Sequence, residues 1–281
     1  MREIEDSTEM AALWNGAGGD AWVDLAPVLD QMLRGFETML ADAAAARGAE
    51  RVLDVGCGTG ATTMAIARRL GPGAACTGVD ISAPMIGAAV ARPADGFPAP
   101  EFIVADAAAY PFEAGAFELL TSRFGVMFFD DPVAAFANLR RAIAPGGGLR
   151  FFCWRGPEDN PFMTAGPRAT RDLLPALPER RPGSPGQFAF ADGGRVAEIL
   201  AAAGWEDVEV EPVDVPCTFP APGLLGYLTR LGPVGQALVE ADEKTRAEVL
   251  DALRTAYEPY VQGDEVGFEA GCWSVGAESA G

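Results

Sequence analysis

The residues with the clearest chemical meaning lie in the run Val52-Leu53-Asp54-Val55-Gly56-Cys57-Gly58-Thr59-Gly60. Apolar strand-forming residues lead into three alternate glycines, where the missing side chains permit a tight bend and let the main chain approach a ligand closely. The helix expected next opens with free amide groups suited to a carboxylate or another anionic part of that ligand. Asp80 follows 20 residues beyond Gly60, the spacing at which an acid closing the second strand accepts hydrogen bonds from ribose hydroxyls. Loop and acid together define a nucleoside site. Taken alone, Gly56-x-Gly58-x-x-Ala61 also satisfies a relaxed dinucleotide fingerprint, so the nucleoside is not yet specified.

Composition removes several chemistries. The chain has no His, and Lys244 is its only lysine. A His base, a His metal site and a Tyr-Lys hydride-transfer pair near Tyr110 are thereby excluded or remote. The balance of 21 Lys+Arg against 40 Asp+Glu, a formal charge of −19, disfavours a nucleic-acid partner, which needs a basic footprint. Arg168, Arg171, Arg180 and Arg181 form one basic stretch and read as a solvated loop. Cys57, Cys76, Cys153, Cys217 and Cys272 are scattered without metal-ligand spacing and read as thiols of a reducing compartment; no metal site is expected. No run approaches the roughly 18 apolar residues of a membrane span, and the acidic start lacks an apolar core, so a cytoplasmic location is expected.

The elements needed to position the loop can be read from periodicity and punctuation. Leu25, Leu29, Leu33, Phe36 and Leu40 recur at helical spacing, which predicts one amphipathic helix over much of Ala21 to Ala46, ended by Gly48. Strands are expected at Arg51 to Val55, Cys76 to Asp80, Glu101 to Ala105, Phe117 to Thr121 and Gly148 to Cys153. Helices fall between them: one running to Leu70, Pro84 to Ala91 begun by Ser82, and Pro132 to Ile143. Weak helical character at Ala165 to Leu174 precedes a helix at Arg195 to Ala203 and a strand at Asp207 to Val215. Leu224 to Glu240 and Glu243 to Tyr257 read as helices, Phe268 to Val275 as a last strand, and Gly276 to Gly281 as a frayed tail. Alternating strands and helices imply an α/β, Rossmann-like, doubly wound and mostly parallel sheet of seven strands, covered on both faces.

Over Arg51 to Cys153 the pattern resembles the class I S-adenosylmethionine-dependent methyltransferases, with the small-molecule enzymes of ubiquinone and menaquinone biosynthesis as the nearest type. In that family strand one ends in D-x-G-x-G-x-G, here Asp54, Gly56, Gly58 and Gly60. An acid closes strand two, here Asp80 in Gly78-Val79-Asp80-Ile81-Ser82, and another follows strand three, here Asp106 in Val104-Ala105-Asp106-Ala107. Pro111-Phe112 before Phe117, Ser122 after strand four and Ala144-Pro145-Gly146-Gly147 before strand five support the match. The resemblance implies S-adenosylmethionine as cofactor and S-adenosylhomocysteine as product. It sets Asp54 near the methionine portion, Gly56, Cys57, Gly58 and Gly60 against the cofactor through backbone, and Asp80 on the ribose. Ile81, Met85 and Ala107 would pack the adenine, Asp106 would accept its amino group, and Ser122 is counted among the cofactor-binding residues.

The implied organisation is one methyltransferase domain over 1–281. It comprises an N-terminal lid region at 1–46, a cofactor-binding half at 47–155, an insertion over the active site at 156–194, and a C-terminal half at 195–281 with a helical insertion at 216–263. Ligands of doubly wound sheets lie at the carboxyl ends of strands near the switch in strand order. That rule places Arg123, Phe124 and Phe128 beside an acceptor, and their apolar surroundings suit a small hydrophobic or aromatic substrate; the resemblance implies that the segment with Trp14 and Trp22, ahead of the first helix, folds over the cofactor as a lid. Methyl transfer by in-line displacement needs mainly alignment and water exclusion. For a hydroxyl nucleophile, Asp130, Asp131, Tyr110, Glu158 and Asp159 are available as bases, none distinguished by spacing, and O-, N- and C-transfer stay open. The rival readings are a nicotinamide-dependent oxidoreductase and a protein that uses bound S-adenosylmethionine without methylating. A monomer or homodimer is expected.

Overall fold

Strand β1 (Arg51–Val55) is buried at every residue after its first, as an apolar run must be when it pairs on both sides. It lies parallel between β2 (Ala75–Asp80) and β4 (Phe117–Arg123). Outward from these, β3 (Glu101–Val104) pairs with β2 and β5 (Ile143–Trp154) with β4, again parallel. Two long strands then reverse direction: β8 (Glu265–Ser279) runs antiparallel between β5 and β6 (Trp205–Pro220), and the two-residue β7 (Val261–Gln262) pairs with β8. The order β3-β2-β1-β4-β5-β8-β6 is the mostly parallel doubly wound sheet expected. The structure is a computed structural model, described for residues 10–94, 96–174 and 183–280.

The helices follow from local chemistry. Ser82, Asp131 and Asp242 each accept a main-chain amide at the start of a helix, and proline stands in the first turn at Pro84 and Pro132, where its missing N–H costs nothing. Helices Arg34–Arg47 and Ala61–Leu70 pack together, as do Pro132–Ala142 and Gly193–Ala202.

Four expectations need correction. The N-terminal helix is three helices, Ala17–Asp24, Ala26–Met32 and Arg34–Arg47. Pro27 cannot donate to the preceding turn and clashes with it. At the second break Gly35 packs so closely on β6 that a Cβ there would sit 2.7 Å from Val215 Cγ1. The helix expected over Leu224 to Glu240 divides at Leu231, which is extended ahead of Gly232-Pro233; the residue before a proline is disfavoured in the right-handed helical region, and Gly232 stands at φ 67°. The helix expected at Ala165 to Leu174 occupies Pro161–Ala169 instead, started by Pro161. Finally, Gly276 to Ser279 is strand rather than frayed tail, because β8 has partners on both sides and Arg47 pairs with Glu278.

Asn160 joins the two halves. Its buried amide donates to the Gly271 carbonyl (2.8 Å) and the Gly156 carbonyl (3.1 Å), while its oxygen accepts the Gly271 amide (3.0 Å). Tyr257 acts similarly, donating to the Phe162 carbonyl (2.8 Å) and accepting the Gly166 amide (3.1 Å). Asn160→Ala takes the side-chain acceptor from the buried Gly271 amide and one of two donors from the Gly271 carbonyl, which keeps the Arg155 amide at 3.0 Å. It is expected to lower unfolding free energy by about 2–4 kcal/mol, read as a lower urea midpoint at an unchanged slope.

Candidate functional site

The chain turns at the end of β1 by placing Gly56, Gly58 and Gly60 at φ of 65°, 54° and 82°, left-handed values that L side chains resist. The Gly56 and Cys57 amides both donate to the Val79 carbonyl, at 2.8 and 3.1 Å. A Cβ on Gly56 would lie 2.5 Å from Gly125 Cα, so two main chains touch where β1 and β4 end. Ser122 maintains that contact: fully buried, it donates to the Val55 carbonyl (2.7 Å) and accepts the Gly125 amide (3.2 Å).

Asp80 braces the loop from β2. One carboxylate oxygen accepts the Gly58 amide at 2.8 Å and the other the Ser82 amide at 2.9 Å. Burial pushes its pKa up, and these amides pull it partly back. Above Gly58, a Cβ would stand 3.6 Å from both Met85 Sδ and Trp22 Nε1. On the turn after β3, Asp106 accepts the Ala108 amide (2.9 Å), and Asn138 holds the carbonyls of Ala107 (3.2 Å) and Tyr110 (3.0 Å). The turn carrying Asp106 is therefore rigid.

Asp54 lies beneath the loop, 1% exposed. Its two oxygens accept the hydroxyls of Thr63 (2.6 Å) and Thr121 (3.1 Å), tying β1 to the following helix and to β4. Burial raises its pKa to about 6 against the lowering effect of both hydroxyls.

The N-terminal segment closes on this frame. Asn15 donates to the Ile81 carbonyl (3.0 Å) and accepts the Ala83 amide (2.9 Å), while the Ser82 hydroxyl donates to the Trp14 carbonyl. Trp14 meets Trp22 and Phe128 edge-on, with ring centroids 6.0 and 5.3 Å apart. Arg92 adds a second tie, bonding Asp30 (2.7 Å) and the hydroxyl of Thr59 (3.1 Å) as well as its carbonyl.

The glycines, Cys57, Asp80, Ile81, Met85, Trp14 and Trp22 thus lie together at the carboxyl ends of β1 and β2, with Asp106 and Ala107 on the turn after β3. Phe124 sits elsewhere: at φ 68° it stacks on Trp154 (4.5 Å) and meets Phe36 (4.9 Å) in the core. Arg123 is directed toward Glu37, Asp30 and Asp54, whose charges bear on it. Among the candidate bases, Asp131 caps a helix and Asp159 pairs with Arg155 (3.3 Å). All five cysteines are buried and free, and burial lifts the Cys57 thiol well above its ordinary value. In the basic stretch Arg168 bonds Thr164; Arg180 and Arg181 lie outside the described residues. Asn15, Thr63, Thr121, Arg92 and Gly125 were not singled out by residue type. Only the polar Asn15 between Trp14 and Gly16 carried a local hint.

Comparison with known proteins defines the class. Residues 52–147 match a family model described as a methyltransferase domain. The chain is 30% identical over 183 residues to the demethylmenaquinone methyltransferase of Renibacterium salmoninarum, covering 62% of this chain and 74% of the relative. It is 32% identical over 207 residues to the nocamycin O-methyltransferase of Saccharothrix syringae, covering 69% and 73%. Among solved structures, the [4+2]-cyclase SpnF shares the fold at TM-score 0.55 and 20% identity, over 94% of this chain and 95% of that one. Haemonchus contortus phosphoethanolamine N-methyltransferase 2, solved with S-adenosyl-L-methionine, shares it at TM-score 0.56 and 18% identity, over 96% and 59%. The chain belongs to the class I S-adenosylmethionine-dependent methyltransferases. It is an enzyme of methyl transfer to a small molecule, resembling those of menaquinone biosynthesis, and the nicotinamide reading is not favoured.

The Asp54 carboxyl makes a pH signature. Its folded pKa, about 6, exceeds the ordinary 3.8, so protonation favours the folded state. That contribution is full below about pH 4 and is lost as pH rises through about 6. Relative to Asp54→Asn, the wild type should therefore gain about 1–2 kcal/mol between about pH 7.5 and about pH 5, measured by urea unfolding at both values. A constant difference would remove the assignment.

Proposed function

We propose that the cleft edge formed by Gly56–Gly60, Asp80 and the Trp14–Trp22 lid holds S-adenosylmethionine, and that the acceptor is a small hydrophobic or aromatic molecule. The observation that carries this reading is the Gly58–Asp80–Ser82 brace. Each carboxylate oxygen has spent one lone pair on an amide, and each keeps capacity for a hydroxyl. A vicinal diol meets that demand. Residues around it fit the rest of the nucleoside: Ile81, Met85 and Ala107 offer apolar contact to a base, and Asp106 offers an acceptor to an exocyclic amine. The space a side chain would take at Gly58 suits close main-chain approach.

When bound, the sulfonium supplies an electrophilic methyl, and S-adenosylhomocysteine is the product. The chain's own residues have the task of orientation and water exclusion. The half-buried rings of Trp14, Trp22 and Phe128 form an apolar wall on the lid side, and the Asn15 and Ser82 bonds keep that wall against the loop after β2. Demethylmenaquinone methyltransferase acts, by its name, on demethylmenaquinone, and nocamycin O-methyltransferase on an oxygen of nocamycin. Both are compatible with an apolar wall here. The described residues of 1–46 act as lid, and those of 156–194 with 216–263 form the remaining wall, within one domain.

Thermal-shift titration tests the cofactor. S-adenosylhomocysteine is expected to raise the melting temperature and NAD to leave it unchanged; the reverse would restore the oxidoreductase. Asp80→Ala should weaken S-adenosylhomocysteine binding more than about tenfold, since a charged acceptor and the loop brace are lost together. Unchanged affinity would displace the ribose from Asp80.

A further inference from the structure

Arg123 is the last residue of β4, half-buried overall with one guanidinium nitrogen turned inward. Thr121, two residues earlier, points its hydroxyl at Asp54, and side chains two apart share a sheet face. Arg123 therefore leaves the sheet above Asp54, on the face that helix Arg34–Arg47 covers. Its Nη1 is sealed from solvent and has no hydrogen-bond partner among the described residues. Burying an unpaired cation is unfavourable, and structures retain one chiefly where something pairs with it.

The surrounding charges are placed for a ligand rather than for each other. Glu37 bears most strongly on Arg123, followed by Asp30 and Asp54, with Arg92 opposing. Asp30 is already bonded by Arg92, and Asp54 by its two threonines. Glu37 forms no ion pair among the described residues, and burial raises its pKa despite Arg123 nearby. A cation donor and a carboxylate thus stand within each other's influence without forming an ion pair among the described residues. Arg92, which holds Thr59 of the glycine loop, bears on both of them.

We infer that Arg123 anchors the α-carboxylate at the amino-acid end of the cofactor, with Glu37 on the side of its ammonium group. The inference rests on the nucleoside site proposed above, and assigns Arg123 to cofactor binding rather than to the acceptor. A zwitterionic amino acid is the ligand chemistry that satisfies a guanidinium and an acid together, and a guanidinium fork matches a carboxylate.

The test compares S-adenosylhomocysteine with 5′-methylthioadenosine, which has the same nucleoside and thioether but no amino-acid arm. Dissociation constants would be measured by calorimetry on the wild type, Arg123→Gln and Arg123→Lys, each checked for folding by circular dichroism. The wild type should bind S-adenosylhomocysteine the more tightly. Arg123→Gln should weaken it by about tenfold or more, while methylthioadenosine stays within about twofold, and Arg123→Lys should recover part of the loss. If Arg123→Gln does not fold, Arg123→Lys alone should show the same selective weakening. Equal loss of both ligands, or loss of neither, would overturn the assignment, as would an effect confined to the acceptor's KM. A wild type that binds neither ligand would fail earlier, at the nucleoside site itself.

Discussion

The main-chain amide of Gly58 and the carboxylate of Asp80, 2.8 Å apart, join the two strand ends on which the site depends. A loop of left-handed glycines has little stiffness of its own, because the residues that permit the bend also permit many others. Its shape comes from outside. The Val79 carbonyl takes the Gly56 and Cys57 amides, Asp80 takes Gly58, and Arg92 takes the Thr59 carbonyl and hydroxyl. The sheet's parallel register makes this possible by bringing Asp54 beside Gly78 and Val55 beside Val79. The loop is thereby preorganised, and binding need not supply the cost of ordering it.

A second constraint acts between β1 and β4. Gly56 and Gly125 approach so closely that a Cβ on either would meet main chain at 2.5 or 2.6 Å. Ser122 bridges them, and Asp54 below locks Thr121 to Thr63. Asp54 is a buried acid that disfavours its own ionisation, retained where three elements must keep their relative positions. Phe124, held at φ 68° between Phe36 and Trp154, carries the strain of turning the chain out of β4 while keeping a ring in the core. The contest between local strain and aromatic burial is settled by packing: a ring of this size buried among two others outweighs a single unfavourable backbone residue.

Much of this was readable because punctuation and periodicity agreed. Gly48, Gly71 and Pro132 stop or start elements where they stand, and Arg51–Val55 and Glu243–Tyr257 have the bounds their residues suggest. Where the leucine spacing ran on through Pro27, or the apolar spacing through Gly232-Pro233, the proline prevailed. Gly276 to Ser279 has no apolar rhythm, and its strand exists only because β5 and β6 flank it. The same distinction holds at the site. The glycines, Asp80 and Asp106 announce themselves by order along the chain, whereas Asn15 meets Ile81 across 66 residues and Thr121 meets Asp54 across 67. That the Arg123 Nη1 finds no hydrogen-bond partner among the described residues is a matter of packing that no spacing encodes.

A crystal structure with S-adenosylhomocysteine tests the central claim most directly. Density should follow the glycine turn, with two ribose hydroxyls on Asp80 and the base running toward Asp106. Density at another part of the sheet, or a nucleoside whose sugar does not meet Asp80, would contradict the account.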